Sequence, residues 1–168
     1  MFQKIAIAAA LVIASSSAIA GGTSKFYAGA DVGTTKGEGD ANQQSGFGVF
    51  GGYQFHQNVA VEAGVRRLVD QDDSFDGVNF NSHLDQLSLS AVGTLPLSNG
   101  FSVFGRLGIN RLNFKASGGG DTFKDHATRG LYGIGVAYSF SPAISARLEV
   151  QKPMSDITNL SAGVSYKF

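Results

Sequence analysis

The chain has 168 residues, a formal net charge of +0, 15% charged and 43% hydrophobic residues, 23 glycines, and neither cysteine nor tryptophan. That length fits one domain. The balanced charge argues against a nucleic-acid binder, which needs a basic face, and the missing cysteines exclude disulfide scaffolds and zinc-thiolate sites.

Residues 1–20 read as a secretory signal peptide. Lys4 supplies the positive start, Ile5 to Ile13 an unbroken apolar run, and Ala18-Ile19-Ala20 before Gly21 the small-residue cleavage pattern. Residues 21–168 are then the mature domain. No other stretch approaches the ~20 apolar residues of a membrane helix. If this sequence sits in a membrane, it does so as a closed β-barrel.

From Phe26 onward the chain alternates with period 2, the signal for strands with two chemically different faces. In chain order the segments are 26–33, 47–55, 59–66, 86–95, 102–110, 132–139, 144–151 and 160–168, with Val92 and Phe104 as apolar exceptions on the polar face. Tight joins fall at His56 to Asn58, Pro96 to Gly100 and Ser141-Pro142. The alternate joins are Lys36 to Ser45, Leu68 to Asp85, Arg111 to Thr128 and the shorter Lys152 to Asn159, and all but the last read as long polar links. Short and long links in alternation give antiparallel hairpins with every tight turn at one end. The fold class is all-β: an eight-stranded antiparallel up-and-down transmembrane β-barrel.

Glycines cluster on the polar face, at 29, 33, 48, 52, 64, 108, 133, 135 and 163. An eight-stranded barrel has an interior just wide enough for side chains, so glycines there make room for Phe50, Phe104, Arg106 and Arg147. Phe26, Tyr53, Phe55, Phe101, Tyr138, Phe140, Tyr166 and Phe168 fall near the short turns or the termini, as an aromatic girdle requires. The inward set then includes Asp31, Glu62 and Glu149 against Arg66, Arg106, Arg147 and Lys167. Mixed charges in so narrow a space cross-link it rather than line an open pore.

The segments Gly48-Val49-Phe50-Gly51-Gly52-Tyr53-Gln54-Phe55, Ala143 to Gln151 and Leu160 to Phe168 resemble the OmpA-like transmembrane domain. The resemblance runs through the mature chain and stops at Phe168, without that family's peptidoglycan-binding domain, so a cell-wall tether is not expected. It implies an interior ion pair between Glu62 and Arg147. A second family pair, a lysine and a glutamate, falls on Val92 and Ala137. Losing both together is the tolerable course, since one buried charge left unpaired costs ~3–5 kcal/mol. The ending Tyr166 to Phe168 resembles the signal read by the barrel-assembly machinery.

The remaining motifs carry little chemistry. The acidic run Asp70 to Gly77 lacks the glycine and the glutamate of an EF-hand loop and reads as a solvated external loop. His56, His83 and His126 are scattered, so no metal site is expected. Asp125-His126 lacks an evident nucleophile and orienting acid, and Gly118-Gly119-Gly120 is a loop tip. Arg67 and Arg111 are expected to point outward where strands give way to external loops. With Lys115 and Arg129 nearby in sequence they are candidates for lipopolysaccharide phosphates, or for interfacial snorkelling alone.

The resulting expectation is a monomeric integral protein of the outer membrane, with periplasmic termini and extracellular long loops. Its role is structural or surface interaction through those loops, without catalysis, cofactor or metal. Expected partners are outer-membrane lipids, lipopolysaccharide, the assembly machinery and an extracellular ligand at the loops. The alternatives are a small-solute channel, suggested by the small Val92 and Ala137, and a lipid A-modifying enzyme.

Overall fold

The computed structural model describes residues 25–37, 43–75, 78–118 and 121–168, with backbone alone for the parts of 69–83 and 114–125 among them. Residues 1–20, read from sequence as a signal peptide, lie outside the described residues, as do the acidic-run residues 76–77 and the glycines at 119–120. The alternating segments form eight strands: β1 (Phe26–Gly37), β2 (Gln44–His56), β3 (Val59–Phe75), β4 (Val78–Pro96), β5 (Phe101–Gly118), β6 (Asp121–Ser139), β7 (Ile144–Met154) and β8 (Ile157–Lys167). Each pairs antiparallel with its sequence neighbours, and β8 returns to β1, closing the barrel. Where the eight strands pair all the way round, closure satisfies the backbone polar groups, the condition for crossing hydrocarbon.

The register fixes the tilt. Following directly opposed residues from Val103 on β5 through Val136, Leu148, Ala162, Val32, Phe47, Arg67 and Asp85 returns to β5 at Asn113, ten residues from the start. A stagger of ten over eight strands inclines them by roughly 40° to the axis. Allowing for that inclination, the outward faces turn from apolar to polar at one level, occupied by Lys36, Ser45, Arg67, Asp85, Arg111, Lys152 and Thr158. Below it the outward side chains are apolar and exposed, as with Leu107 at 71% and Ile134 at 72%, the inverse of a soluble barrel.

The aromatics gather at the short-turn end in contacting pairs. Ring centroids lie 4.8 Å apart in Phe26–Tyr53 and in Phe101–Tyr138, 5.0 Å in Tyr138–Phe140 and 5.3 Å in Tyr166–Phe168. The β4–β5 turn is closed by Asn99 (φ 57°) and Gly100 (φ 82°). Asn-Gly accepts two successive left-handed residues, which suits the twist of the strands it joins.

Two expected links are corrected. Leu68 to Asp85 and Arg111 to Thr128 are not loops: β3 and β4 stay paired up to Phe75↔Val78, and β5 and β6 up to Gly118↔Asp121. Beyond the membrane level both faces of a strand meet water, so the alternation that marks a strand in sequence disappears while the backbone ladder continues. Val92 and Phe104, the two apolar exceptions, keep the alternation and point inward, 6% and 7% exposed.

Candidate functional site

Midway along the apolar band the lumen is closed by a layer whose charged side chains all come from the odd-numbered strands. Glu62 (β3) accepts hydrogen bonds from Arg147 (β7) across the barrel, at 2.8 Å from Nη1 and 3.4 Å from Nη2, and from the Tyr27 hydroxyl at 3.1 Å. Arg106 (β5) donates to Glu149 (β7) at 2.6 and 3.2 Å, to Ser90 Oγ at 2.9 Å, and through Nη2 to Glu62. Arg66 (β3) grips Asp31 (β1) through both carboxylate oxygens at 3.0 and 2.7 Å and donates to Asn159 at 2.8 Å. Arg147 Nη2 also lies 3.7 Å from Asp31 and 3.9 Å from Glu149, linking the groups. Glu62 and Glu149 are each 1% exposed. Charge-assisted bonds in such surroundings are strong because water does not compete for them.

Packing completes the seal. The Arg147 guanidinium carbon stands 3.4 Å from the centre of the Phe50 ring, a cation–π contact. Glycines seat the rings: a Cβ at Gly29 would run into Phe50, one at Gly52 into Tyr27, and one at Gly135 into Phe104. Gly52→Val is therefore expected to lower the unfolding free energy by about 1–3 kcal/mol through overpacking. The urea midpoint of the heat-modifiable gel shift measures this, and Tyr27→Ala in the same chain should restore part of the loss.

On the short-turn side the charge layer forms the floor of a vestibule of about 280 Å³, walled by Ser102, Ser139, Ser145 and Ser165, with Val92 and Ala137 among its lining. Val92 stands opposite Arg106 and Ala137 opposite Arg147 on neighbouring strands. Lys167 is at the mouth, donating to Gln54 at 2.6 Å. On the long-hairpin side, Leu68, Leu112 and Leu131 cover the lumen at 0%, 3% and 0% exposure. The sequence reading missed this apolar cap because it put Leu68 and Leu112 in links. Leu68 continues the inward series of Glu62, Gly64 and Arg66, and the β3–β4 register shifts between Arg67 and Val69.

The four cations considered for lipid phosphates separate. Arg67 faces outward and binds Asp85 Oδ1 at 2.9 Å. Arg111 faces outward and is exposed, between Leu87 and Thr128. Arg129 is corrected to the inner face, at the lumen's mouth, because its partner across the ladder is the inward, buried Asn110. Lys115 stands opposite His83 and Lys124 in the extended ladder, its side chain outside the described residues. His126 lies on β6 opposite Asn113.

The closed barrel, its outward apolar band and its polar, cross-linked interior agree with the match of residues 6–168 to the model of the outer membrane protein beta-barrel domain. The chain belongs to this outer-membrane β-barrel family. It is 31% identical, over an alignment 196 residues long, to outer membrane protein A of Shigella flexneri, with 99% of this chain and 56% of that protein covered. The chain thus spans about half the length of the curated relatives it matches. Among solved structures, Neisserial surface protein A matches 88% of the chain at TM-score 0.68 and 18% identity, with all of that chain covered. The N-terminal barrel of Pseudomonas aeruginosa OprF matches 86% of this chain and 98% of its own at TM-score 0.63 and 16% identity. As a member of the family the protein is an integral outer-membrane barrel, and its outward band is its contact with lipid.

Proposed function

We propose that this barrel is a non-catalytic surface protein, a monomer whose long hairpins face the exterior and whose short turns and termini lie in the periplasm. The observation that carries the reading is the unequal length of the strands. β3 to β6 run 17–19 residues, whereas β1, β2, β7 and β8 run 11–13. Pairing of β2 with β3 ends at Phe47↔Arg67, and that of β6 with β7 at Tyr132↔Lys152. Past those points β3 to β6 continue as a four-stranded sheet with an edge along residues 69–75 of β3 and another along 121–131 of β6. Such edges carry rows of N–H and C=O groups that accept an added strand from an extracellular protein. Asp70, Asp72 and Asp73 on the β3 edge discourage pairing between copies.

The closed lumen supports this reading over a channel, since among the described residues a charge layer and a leucine cap lie in series along the barrel axis. Residues 1–20 serve as the export signal, Tyr166 and Phe168 as the ending read by the assembly machinery, and Arg111 as a contact for lipopolysaccharide phosphate.

The test replaces residues 69–83 and 114–126 by two-residue Asn-Gly turns in cells that express the protein. The truncated barrel should keep its gel shift but lose the binding of cells to plates coated with serum proteins. In the untruncated chain, Lys124→Cys should react with a membrane-impermeant maleimide on intact cells. Unchanged binding, or labelling only after permeabilisation, overturns the reading.

A further inference from the structure

Two lysines outside the set considered from sequence stand on one outward face of the wall, at the level where it turns polar. Lys36 on β1 stands directly opposite Thr158 on β8. Lys152 on β7 comes directly after the Gln151↔Asn159 pair, where the β7–β8 register shifts before Met154↔Ile157, and so lies beside Thr158 on its other flank. All three point outward: Thr35 and Gln151 beside the lysines are buried at 4% and 3%, as is Asn159 beside Thr158 at 1%. The lysines are thus two strand spacings apart, about 10 Å, with a hydroxyl between them. Lys36 is exposed, and Lys152 is held in place by a bond to the Ser155 carbonyl at 3.1 Å. Neither is ion-paired among the described residues, in contrast to Arg67, which Asp85 already neutralises. Asp156, the described acid closest to Lys152 in the onward sequence, lies beyond the row in the β7–β8 turn.

The surface beneath the lysines is hollow. Below the row come Thr34, Leu160 and Val150, and then Val32, Ala162 and Leu148. The last three, with Ala30, Ala146 and Val164, line an apolar depression of about 660 Å³ on the lipid-facing wall. It opens some four residues below the lysines, about 13 Å along the strands, roughly the depth of one leaflet's acyl chain in a core of about 30 Å.

We propose that this face, on β7, β8 and β1, holds one phosphorylated glycolipid of the lipid A type. Its phosphates are met by Lys36, Thr158 and Lys152, and an acyl chain lies over Leu160 in the depression. Two cations flanking a hydroxyl suit a headgroup with two separated phosphates, and the apolar hollow suits a chain rather than a protein side chain. The assignment of the outer leaflet rests on the long hairpins facing the exterior.

The experiment uses the full chain in phosphatidylcholine nanodiscs doped with bisphosphorylated lipid A, released into mild detergent, with retained lipid counted by native mass spectrometry. The unmodified chain should retain one lipid A. Lys36→Glu with Lys152→Glu should cut its occupancy at least about tenfold, as should Ala162→Phe, which fills the hollow from the lipid side. The gel shift should persist in both, and Arg67→Glu should retain the lipid. Retention unaffected by either change overturns the site, and equal retention of phosphatidylglycerol overturns the glycolipid. Nanodiscs are blind to orientation, so the separate reading on which leaflet the site faces is checked in cells. Asp156→Cys that reacts with impermeant maleimide only after permeabilisation refutes the outer leaflet while leaving lipid retention as measured.

Discussion

Replacing Arg106 by leucine is expected to cost about 3–5 kcal/mol of unfolding free energy, the penalty for stranding a buried charge. Asp31, Glu62 and Glu149 face Arg66, Arg106 and Arg147, so the interior layer is charge-balanced, and Arg106 alone joins Glu62 to Glu149 through short bonds. Without it, Glu149 keeps only Gln151 Nε2 at 3.2 Å and Arg147 at 3.9 Å, too little to hold a carboxylate that is 1% exposed. The urea midpoint of the gel shift in detergent or vesicles reads the loss. Salt should leave it nearly unchanged, because buried pairs are poorly screened. Replacing Arg106 and Glu149 together by leucine should recover most of it, since exchanging a buried pair for apolar groups is close to neutral. A single-variant loss below about 1 kcal/mol would mean that water reaches the layer and solvates the orphaned carboxylate.

That layer shows what a sequence can and cannot convey about a barrel. Which charges face inward follows from alternation, because Asp31, Glu62, Arg66, Arg106, Arg147 and Glu149 all fall on the glycine-bearing face. Which of them meet does not follow, since partners such as Arg106 and Glu62 are joined only by the register of a closed wall displaced by ten residues per circuit. The hairpins were illegible for a different reason. In Asp70-Gln71-Asp72-Asp73-Ser74 both faces are polar, so nothing but the backbone ladder marks the strand. Lys36 and Lys152 were hidden in links for the same cause: the level of the membrane boundary cuts across sequence positions according to the tilt. Leu68 continues the inward alternation of Glu62 and Arg66 and was missed only because the link was drawn from it; the register shift between Arg67 and Val69 leaves no trace in a hydrophobic pattern.

Phe50→Ala tests whether the seal depends on packing as much as on charge. The ring is 7% exposed, fits against Gly29 and beneath the Arg147 guanidinium, and meets Tyr27 edge-on at 6.4 Å. Its removal is expected to cost about 3–5 kcal/mol, the usual range for deleting a buried aromatic side chain. Phe50→Leu separates the two contributions: it keeps much of the volume and loses the π face, so it should cost about 0.5–2 kcal/mol, the size of the cation–π term. The decisive comparison is the coupling of Phe50→Leu with Arg147→Leu, measured by urea midpoints in a double-mutant cycle. Coupling near zero would assign the ring a purely steric part, because Glu62 would then orient Arg147 unaided. A coupling of about 1 kcal/mol or more would mean that the ring holds the guanidinium flat across the lumen, which is the orientation that lets one arginine reach Glu62, Asp31 and Glu149 at once.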